Sequence, residues 1–295
     1  MEKVNRREFL SRSVAGGVAT SFVVSAKGSV STAGEAGPKR PAKDDISLAQ
    51  WALVGEIRDG KWKNSDFLRI ARDDFDINGI EFVSTLFELP TYSYLNRLRR
   101  NAEKHNVTMI LIMVDDEGET CDPSKETRIQ TAINHRKWVD IAKFLGCHSI
   151  RTNCRGPKNA SKDQALEWAA DCYSRLLEYA APAGIGILIE NHGGLSNDPD
   201  WMVSLFKKVD NPYFGSYPDW RGPGGGFDNY EYLKKMLPYA GGMSYRNQPT
   251  EEQTARLIKL CQDSGYRGWY GIESGGREQI KIGKKLLEKY LFGKG

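Results

Sequence analysis

Residues 187–194 read ILIENHGG, an apolar run that turns acidic and polar in a single step. A run of consecutive aliphatic residues is typical of a strand buried on both faces, as in a parallel sheet. A tight turn would account for the two glycines but not for Glu190. The stretch therefore predicts a buried strand that ends at Glu190 and carries functional side chains at its C-terminal end.

The run that ends at Glu190 is one of eight β-rich runs in the chain. Segments with apolar residues three or four positions apart, typical of amphipathic helices, lie between them. This alternation indicates a parallel sheet covered by helices, and eight units predict an α/β fold of the (β/α)8 TIM-barrel type, a single domain over residues 46–295. The predicted strands are 47–54, 79–83, 107–114, 148–152, 185–190, 214–217, 242–245 and 269–272. The predicted helix N-caps are Asp66, Ser161, Asn229 and Thr250.

An open, doubly wound sheet is the alternative for alternating strands and helices. That fold binds phosphates at a glycine-rich turn after an early strand. The dense glycine run of this chain, GPGGG at residues 222–226, comes late and lacks the Lys-Ser/Thr of a phosphate-binding loop. The barrel is therefore favoured, and residues 222–226 are predicted to form a mobile loop near its mouth.

The first 26 residues have the features of an export signal. Arg6 and Arg7 precede Phe9-Leu10 and an apolar run over 14–26, which ends in small residues typical of a cleavage site. The paired arginines resemble a twin-arginine signal, so export to the periplasm is expected. The apolar run is shorter than the roughly 20 residues that span a bilayer, so no stable membrane insertion is expected after signal removal. A disordered basic leader or a retained anchor are the alternatives, and residues 27–45 are predicted to be a flexible linker.

The charge of the chain argues against a nucleic-acid partner. The formal net charge is +4, and the predicted signal holds four basic and two acidic residues, so the remaining domain is close to neutral. It has no block of Lys and Arg of the kind that binds nucleic acid. We therefore expect a small-molecule partner, and the sequence leaves the oligomeric state open.

The five cysteines form no CxxC pair. A twin-arginine substrate folds in the reducing cytoplasm before export, so free, buried thiols are predicted, with a disulfide as the alternative. The spacing does not match a zinc-binding cysteine cluster.

Polar residues follow the predicted strands at one end. In a (β/α)8 barrel the C-terminal ends of the strands converge on the mouth, where the chemistry takes place. Glu190, Asp219, Ser244 and Glu273 are separated by 29, 25 and 29 residues, about one strand–helix unit each. Three carboxylates are thus expected to face one another across half of the mouth. The polar residues at the strand ends are Glu81, Asp115, Asp116, Glu117, Arg151, Asn153, Glu190, His192, Asp219, Ser244, Arg246 and Glu273.

Three ionised carboxylates in a half-buried site repel one another unless a cation or shifted pKa values relieve the repulsion. A divalent metal is the simplest neutraliser, and oxygen ligands suit Mg²⁺ or Mn²⁺. The alternative is that each carboxylate separately caps a helix or pairs with an arginine. A metal site formed by Glu190, Asp219 and Glu273 is the predicted arrangement.

Four segments of the chain resemble a known family in content and order. They are WVDIAKFLGCHSIRTN, ILIENHGG, FGSYPDW and GYRGWYGIESGG, and together they are similar to the xylose isomerase-like TIM barrels that include sugar phosphate isomerases and epimerases. The resemblance covers residues 47–291. It implies a divalent metal (Mn, Mg, Zn or Co) held by Glu, Asp, His and Glu from strands five to eight, which correspond to Glu190, Asp219, Ser244 and Glu273.

The same resemblance implies a catalytic role for Glu190 and Glu273. They would act as an acid/base pair on opposite faces of the substrate and move a proton next to a carbonyl through an enediolate. Ser244 departs from the family pattern, because many relatives have a metal-binding histidine there. The site would then bind metal weakly, recruit His192, use water as the missing ligand, or have lost the metal.

Five residues are predicted to contact the substrate: Glu81, Arg151, His192, Ser244 and Arg246. Alternatives are open for three of them. Arg151 could instead form an ion pair with Glu81 or Glu190. His192 could ligate the metal or order its loop, and Arg246 could be a surface charge.

The predicted function is a metal-dependent sugar isomerase or epimerase. A lyase that cleaves a 3-keto-glycoside by β-elimination in the same site is the first alternative, because phosphorylated sugars are scarce outside the cytoplasm. A non-catalytic carbohydrate-binding barrel is the second, since Ser244 interrupts the ligand set. A hydrolytic glycosidase would need two carboxylates but no metal. The sequence does not determine the sugar, its stereochemistry, its phosphorylation or the metal.

Overall fold

The barrel is built from eight parallel strands in one sheet. The structure is a computed structural model that describes residues 45–222, 224 and 226–294. The strand order is β6-β5-β4-β3-β2-β1-β8-β7, and single bridges from Ser216 to Ala240 and from Asp219 to Ser244 join its two ends. The strands are β1 (Asp45–Ala49), β2 (Gly79–Val83), β3 (Thr108–Met113), β4 (Ser149–Asn153), β5 (Gly186–Glu190), β6 (Phe214–Ser216), β7 (Met243–Tyr245) and β8 (Trp269–Ile272). The predicted (β/α)8 barrel is confirmed, and the doubly wound alternative is wrong because the strand order follows the chain without a reversal.

Helices follow the strands and bury their apolar faces against the outside of the sheet. The α-helices are α1 (Val54–Arg58), α2 (Phe67–Arg69), α3 (Tyr92–His105), α4 (Lys125–Leu145), α5 (Lys162–Ala183), α6 (Pro199–Val209), α7 (Asn229–Met236), α8 (Glu251–Asp263) and α9 (Arg277–Phe292). Short 3₁₀-helices cover Gln50–Leu53, Asn64–Asp66, Ser84–Leu86, Gly194–Asn197 and Leu237–Tyr239, and a π-helical turn covers Ile70–Asp74. The main apolar cluster lies between the two layers. This arrangement leaves the strand ends free to carry polar side chains.

A smaller apolar cluster, which includes Leu111, Leu188 and Tyr217, is separate from the main one. Glu81 on β2 is fully buried beside it, and its oxygens accept hydrogen bonds from Ser47 Oγ at 2.6 Å and from the Tyr217 hydroxyl. The carboxyl group lies directly against the β8 backbone, since a Cβ added at Gly271 would be 2.5 Å from both Glu81 oxygens. A glycine is therefore needed at this position of β8.

The first strand differs from its predicted extent of 47–54. It begins at Asp45, which was predicted as the last linker residue, and ends at Ala49. Gln50 is buried, and its side-chain oxygen accepts the Val83 N–H at 3.0 Å, while its amide nitrogen contacts Asn64. The chain enters a 3₁₀-helix at Gln50, and the Gln50 side chain, rather than the backbone of β1, binds the Val83 N–H at the end of β2.

Two of the four predicted N-caps form as expected. Ser161 and Thr250 each complete a capping box with the glutamine three residues later. The cap of α7 is Asp228 and not Asn229. Asp66 precedes α2 without a side-chain cap, because its carboxylate accepts the Lys63 N–H instead.

The structure tests the prediction for the cysteines but not the predictions of a signal peptide and a linker. The predicted signal peptide and linker residues up to 44 lie outside the described residues. Within the described part of the chain, no helix combines the length and apolar character needed to cross a membrane. All five cysteines lie within the described residues, are buried and form no disulfide, which confirms the prediction of buried thiols.

We expect Gly271→Ala to lower the free energy of unfolding by about 1–3 kcal/mol, because the added methyl group must displace the buried Glu81 carboxyl group. Gly55→Ala is the matched control: it lies in α1 with no atom within 4 Å of the added Cβ, and it should raise stability by about 0.5 kcal/mol. Urea denaturation measures both. A Gly271→Ala midpoint at or above that of the wild type would contradict the close approach.

Candidate active site

A cavity of about 800 Å³ opens at the C-terminal ends of the strands. Its wall carries polar and charged side chains from the ends of β3, β4, β5, β7 and β8. The lining residues are Trp51, Arg58, Thr85, Val114, Asp115, Asp116, Glu117, Gly118, Glu119, His135, Arg151, Asn153, Arg155, His192, Arg221, Arg246 and Glu273. The volume lies within the range of small-molecule sites, so this cavity is the candidate active site.

The structure brings Glu190, Asp219 and Glu273 together, and we call them the carboxylate triad. Glu190 ends β5, Asp219 follows β6, and Glu273 follows β8. One oxygen of each lies within 4.8 Å of the others, and all three residues are buried. Parallel strands end at the same side of the sheet, so the regular spacing of these residues in the chain becomes proximity at the mouth.

Arg151 from β4 forms an ion bridge between two acids on the neighbouring strands. Its Nη1 lies 2.8 Å from Asp115 Oδ1, and its Nε lies 2.8 Å from Glu190 Oε2. Asn153 Nδ2 donates to the same Asp115 oxygen at 2.7 Å. The ion pair with Glu190 was the alternative to substrate contact for Arg151, and here the arginine both forms that pair and lines the cavity.

Arg246, which follows β7, forms a second ion bridge of the same kind. Its Nε and Nη2 lie 3.2 Å from the two Asp219 oxygens. Nη2 also lies 2.8 Å from Glu273 Oε1, and Nη1 donates to the Glu273 carbonyl oxygen. Arg246 is thus a partly buried ion-pair partner of Asp219 and Glu273 on the cavity wall rather than an isolated surface charge.

Asn191, which the sequence reasoning did not single out, positions Asp219. Its Oδ1 accepts the Asp219 N–H at 2.7 Å, and its Nδ2 donates to the Asp219 carbonyl at 3.2 Å. The paired bonds hold the backbone after β6 against the end of β5. In the sequence, Asn191 is visible only as an amide next to Glu190. Its role could not be read there, because its partner Asp219 lies 28 residues further along the chain.

The glycines of the opening stretch allow a close backbone contact. A Cβ at Gly194, which has φ +61°, would be 2.0 Å from the Arg155 carbonyl oxygen. The His192 N–H donates to Ser196 Oγ at 3.0 Å, which orders the turn. The imidazole lines the cavity, and its Nδ1 lies 3.9 Å from Glu190 Oε1.

Glu81 and Ser244 depart from the expectation of direct substrate contact. Both are fully buried and neither lines the cavity. Glu81 is held by Ser47 and Tyr217, while Ser244 Oγ donates to Glu273 Oε2 at 2.5 Å. The polar atoms of these two side chains are thus already engaged within the protein before any ligand arrives.

Burial dominates the pKa values of Glu190 and Glu273. It raises the pKa of Glu190 to about 8, although Arg151 opposes the shift. It also raises the pKa of Glu273 against the opposing charge of Arg246. At Asp115 burial acts in the same sense, but Arg151 outweighs it and lowers the pKa of that carboxyl group. The protons of Glu190 and Glu273 are therefore held more tightly than those of exposed acids.

The donor chemistry of the triad fits a divalent cation. It provides three carboxylates from three strands, the oxygen ligands that Mg²⁺ and Mn²⁺ favour. The two arginines compensate only part of the charge of the triad and Asp115 when all four acids are ionised. Ser244 does not extend the ligand set, because its hydroxyl is engaged with Glu273. The residues that would hold the metal are Glu190, Asp219 and Glu273.

Comparison with known proteins agrees with this fold. The family model described as "Xylose isomerase-like TIM barrel" matches residues 69–221, more than half of the chain, so the protein belongs to this family. A Xenopus laevis protein named "Putative hydroxypyruvate isomerase" is 26% identical over 197 residues, which cover 59% of this chain and 70% of that protein.

Two solved structures share the fold. A D-allulose 3-epimerase from Methylomonas sp. has a TM-score of 0.67 at 13% identity, with 85% of this chain and 99% of that chain covered. The IolI protein with a bound zinc atom has a TM-score of 0.68 at 13% identity, with 84% and 98% covered. At these identities the likeness establishes the architecture.

The raised pKa of Glu190 predicts how stability and metal binding depend on pH. Unfolded glutamate loses its proton near pH 4.3, whereas folded Glu190 keeps it up to about pH 8. The folded state therefore binds more protons across this window, and its stability without metal should fall as the pH rises. Mn²⁺ needs the ionised carboxylate, so the rise in melting temperature that it causes should be larger at pH 8 than at pH 6.

Thermal melts in EDTA and in MnCl₂ between pH 5 and 8.5 measure both effects. Glu190→Gln is the control, since it removes the titrating group and should flatten the decline. Equal pH slopes in the wild type and Glu190→Gln would show that Glu190 is not the source.

Proposed function

We propose that this protein is a sugar isomerase or epimerase that moves a proton on the carbon next to a carbonyl. The observation that carries the proposal is the convergence of Glu190 and Glu273 on one mouth, with pKa values raised by burial. A carboxyl group whose pKa lies near neutral pH can both take and return a proton. The names of relatives in the family, an isomerase and an epimerase, support the same reaction class.

In this mechanism one glutamate removes the proton and the other returns it. Glu273 lines the cavity, and Glu190 lies behind the wall next to Arg151 and His192. Removal and return on opposite faces gives an epimer, whereas return to the neighbouring carbon gives an isomer. A divalent cation held by the triad would supply positive charge for the enediolate oxygens.

Arg151, Arg246 and His192 on the cavity wall would bind the sugar oxygens. Arg151 has few rotameric alternatives, because two acids hold it at 2.8 Å each. Burial lowers the pKa of His192, which keeps its imidazole neutral and able to donate or accept one hydrogen bond. These groups would orient the reacting carbon toward the triad.

We also propose that the protein is exported to the periplasm by the signal over residues 1–26. The twin-arginine pair and the short apolar run support this location. A protein exported folded would carry a metal acquired in the cytoplasm. Phosphorylated sugars would then be poor candidates for its substrate, because they are scarce outside the cytoplasm.

Glu190→Gln and Glu273→Gln should each lower proton exchange at least about 100-fold, because an amide cannot take up the substrate proton. The measurement is ¹H NMR of hydroxypyruvate and a panel of ketohexoses in heavy water with MnCl₂. Glu119→Gln, on the same cavity wall but exposed, should keep wild-type exchange. Wild-type rates in both triad variants would refute the mechanism. Binding without exchange in the wild type would favour the carbohydrate-binding alternative.

A lyase that acts on a 3-keto-glycoside is the second candidate. The cavity of about 800 Å³ is in the upper part of the range for small-molecule sites and leaves room for a second ring or aglycone. Removal of the C2 proton next to the ketone would form the C1–C2 double bond, break the C1–O bond and release the aglycone after protonation.

NMR of a 3-keto-glucoside incubated with the enzyme distinguishes the two reactions. The lyase predicts a free aglycone and an enone without consumption of water, whereas the epimerase predicts inversion at C2 with the glycosidic bond intact. Glu273→Gln should abolish either reaction. Hydrolysis that is insensitive to EDTA would contradict both.

A further inference from the structure

Arg246 occupies a position that a divalent cation would need. Its guanidinium group contacts both Asp219 oxygens at 3.2 Å and Glu273 Oε1 at 2.8 Å. Glu273 Oε2 is occupied by Ser244 Oγ. Two of the three proposed metal ligands are therefore already bound to a cation that is part of the chain.

The guanidinium group also faces the cavity, whereas its partner Asp219 does not. Arg246 and Glu273 line the cavity wall, whereas Asp219 lies behind it with a side chain that is 3% exposed. A metal that binds Asp219 and also contacts a substrate in the cavity must therefore share the Asp219 carboxylate oxygens with Arg246 or displace the guanidinium group.

We propose that Arg246 is a built-in counter-cation that stabilises the metal-free site and competes with divalent metal for Asp219 and Glu273. The inference rests on the proposed metal site and extends it. Removal of the guanidinium charge leaves the two carboxylates free to bind the metal, so the affinity for metal increases. The metal-free protein loses the compensation of two buried charges and becomes less stable.

Arg246 is better suited to this exchange than Arg151. The Arg151 side chain is 2% exposed and is held by Asp115 as well as by Glu190. The Arg246 side chain is 18% exposed at the cavity wall, and it belongs to a residue that follows β7. It can turn toward the cavity and donate to a substrate oxygen when a metal takes its place, which would link metal occupancy to substrate binding.

The test compares Mn²⁺ binding to EDTA-stripped wild-type protein and to Arg246→Gln by isothermal calorimetry. We expect at least about tenfold tighter binding in the variant, since one positive charge is removed from two ligands. Arg246→Lys keeps the charge but loses the paired contacts, and its affinity should lie between the two. Arg58→Gln is the control: Arg58 lines the same cavity and stacks on Trp51 at 5.3 Å, and its loss should leave the affinity unchanged.

Thermal melting gives a second readout that does not depend on turnover. Arg246→Gln should melt below the wild type in EDTA, and MnCl₂ should raise its melting temperature by more than it raises that of the wild type. Equal or weaker Mn²⁺ binding in Arg246→Gln, with binding by the wild type, would overturn the inference and leave the proposed metal site intact. Absence of binding in both would overturn the inference together with the metal site, while proton exchange would still test the acid/base pair.

Discussion

The burial of several carboxylates at one end of the barrel is the constraint on which the site depends. Two arginines compensate this buried negative charge in the same way, since each pairs with two acids. Arg151 on β4 bridges acids at the ends of β3 and β5, and Arg246 after β7 bridges acids after β6 and β8. Each guanidinium group offers a planar set of donors that can serve two carboxylates at once, which a lysine could not match. Without the arginines, the negative charges of the acids would repel one another. Because each guanidinium group pairs with two acids, it links the ends of neighbouring strands instead.

The register of the sheet places these groups. Asn153 pairs with Glu190 between β4 and β5, and a single bridge joins Asp219 to Ser244 where the sheet closes. Within the barrel, buried Glu81 accepts hydrogen bonds from two hydroxyl groups and packs against the β8 backbone at Gly271. A buried polar group therefore lies within the barrel, and a shift of β5 by one residue would point the Glu190 side chain to the opposite face of the sheet.

The two ion bridges give the site more than one way to balance its charge. Protons and guanidinium groups compete for the same carboxylate oxygens, and in the proposed metal site a divalent cation would compete for them as well. Burial favours the protonated form of Glu190 and Glu273, whereas Arg151 and Arg246 favour the ionised form. Proton transfer next to a carbonyl needs a site in which this balance lies close to even, because each glutamate must both accept and release a proton. The proposed activity and the proposed role of Arg246 follow from the same balance.

The sequence by itself determined the architecture and the identity of the triad. The period of apolar runs predicted eight strands, and spacings of one strand–helix unit assigned Glu190, Asp219 and Glu273 to one mouth, because the geometry of a parallel barrel converts chain spacing into position. Only the tertiary structure decided the partners of these acids. Each of these contacts joins residues from different strand–helix units. They are the bond of Gln50 to Val83, the bonds of Asn191 to Asp219, the contacts that bury Glu81 and Ser244, and the position of Arg246 between two carboxylates. Such contacts depend on side-chain direction and on the closure of the sheet, which no local pattern of the chain contains.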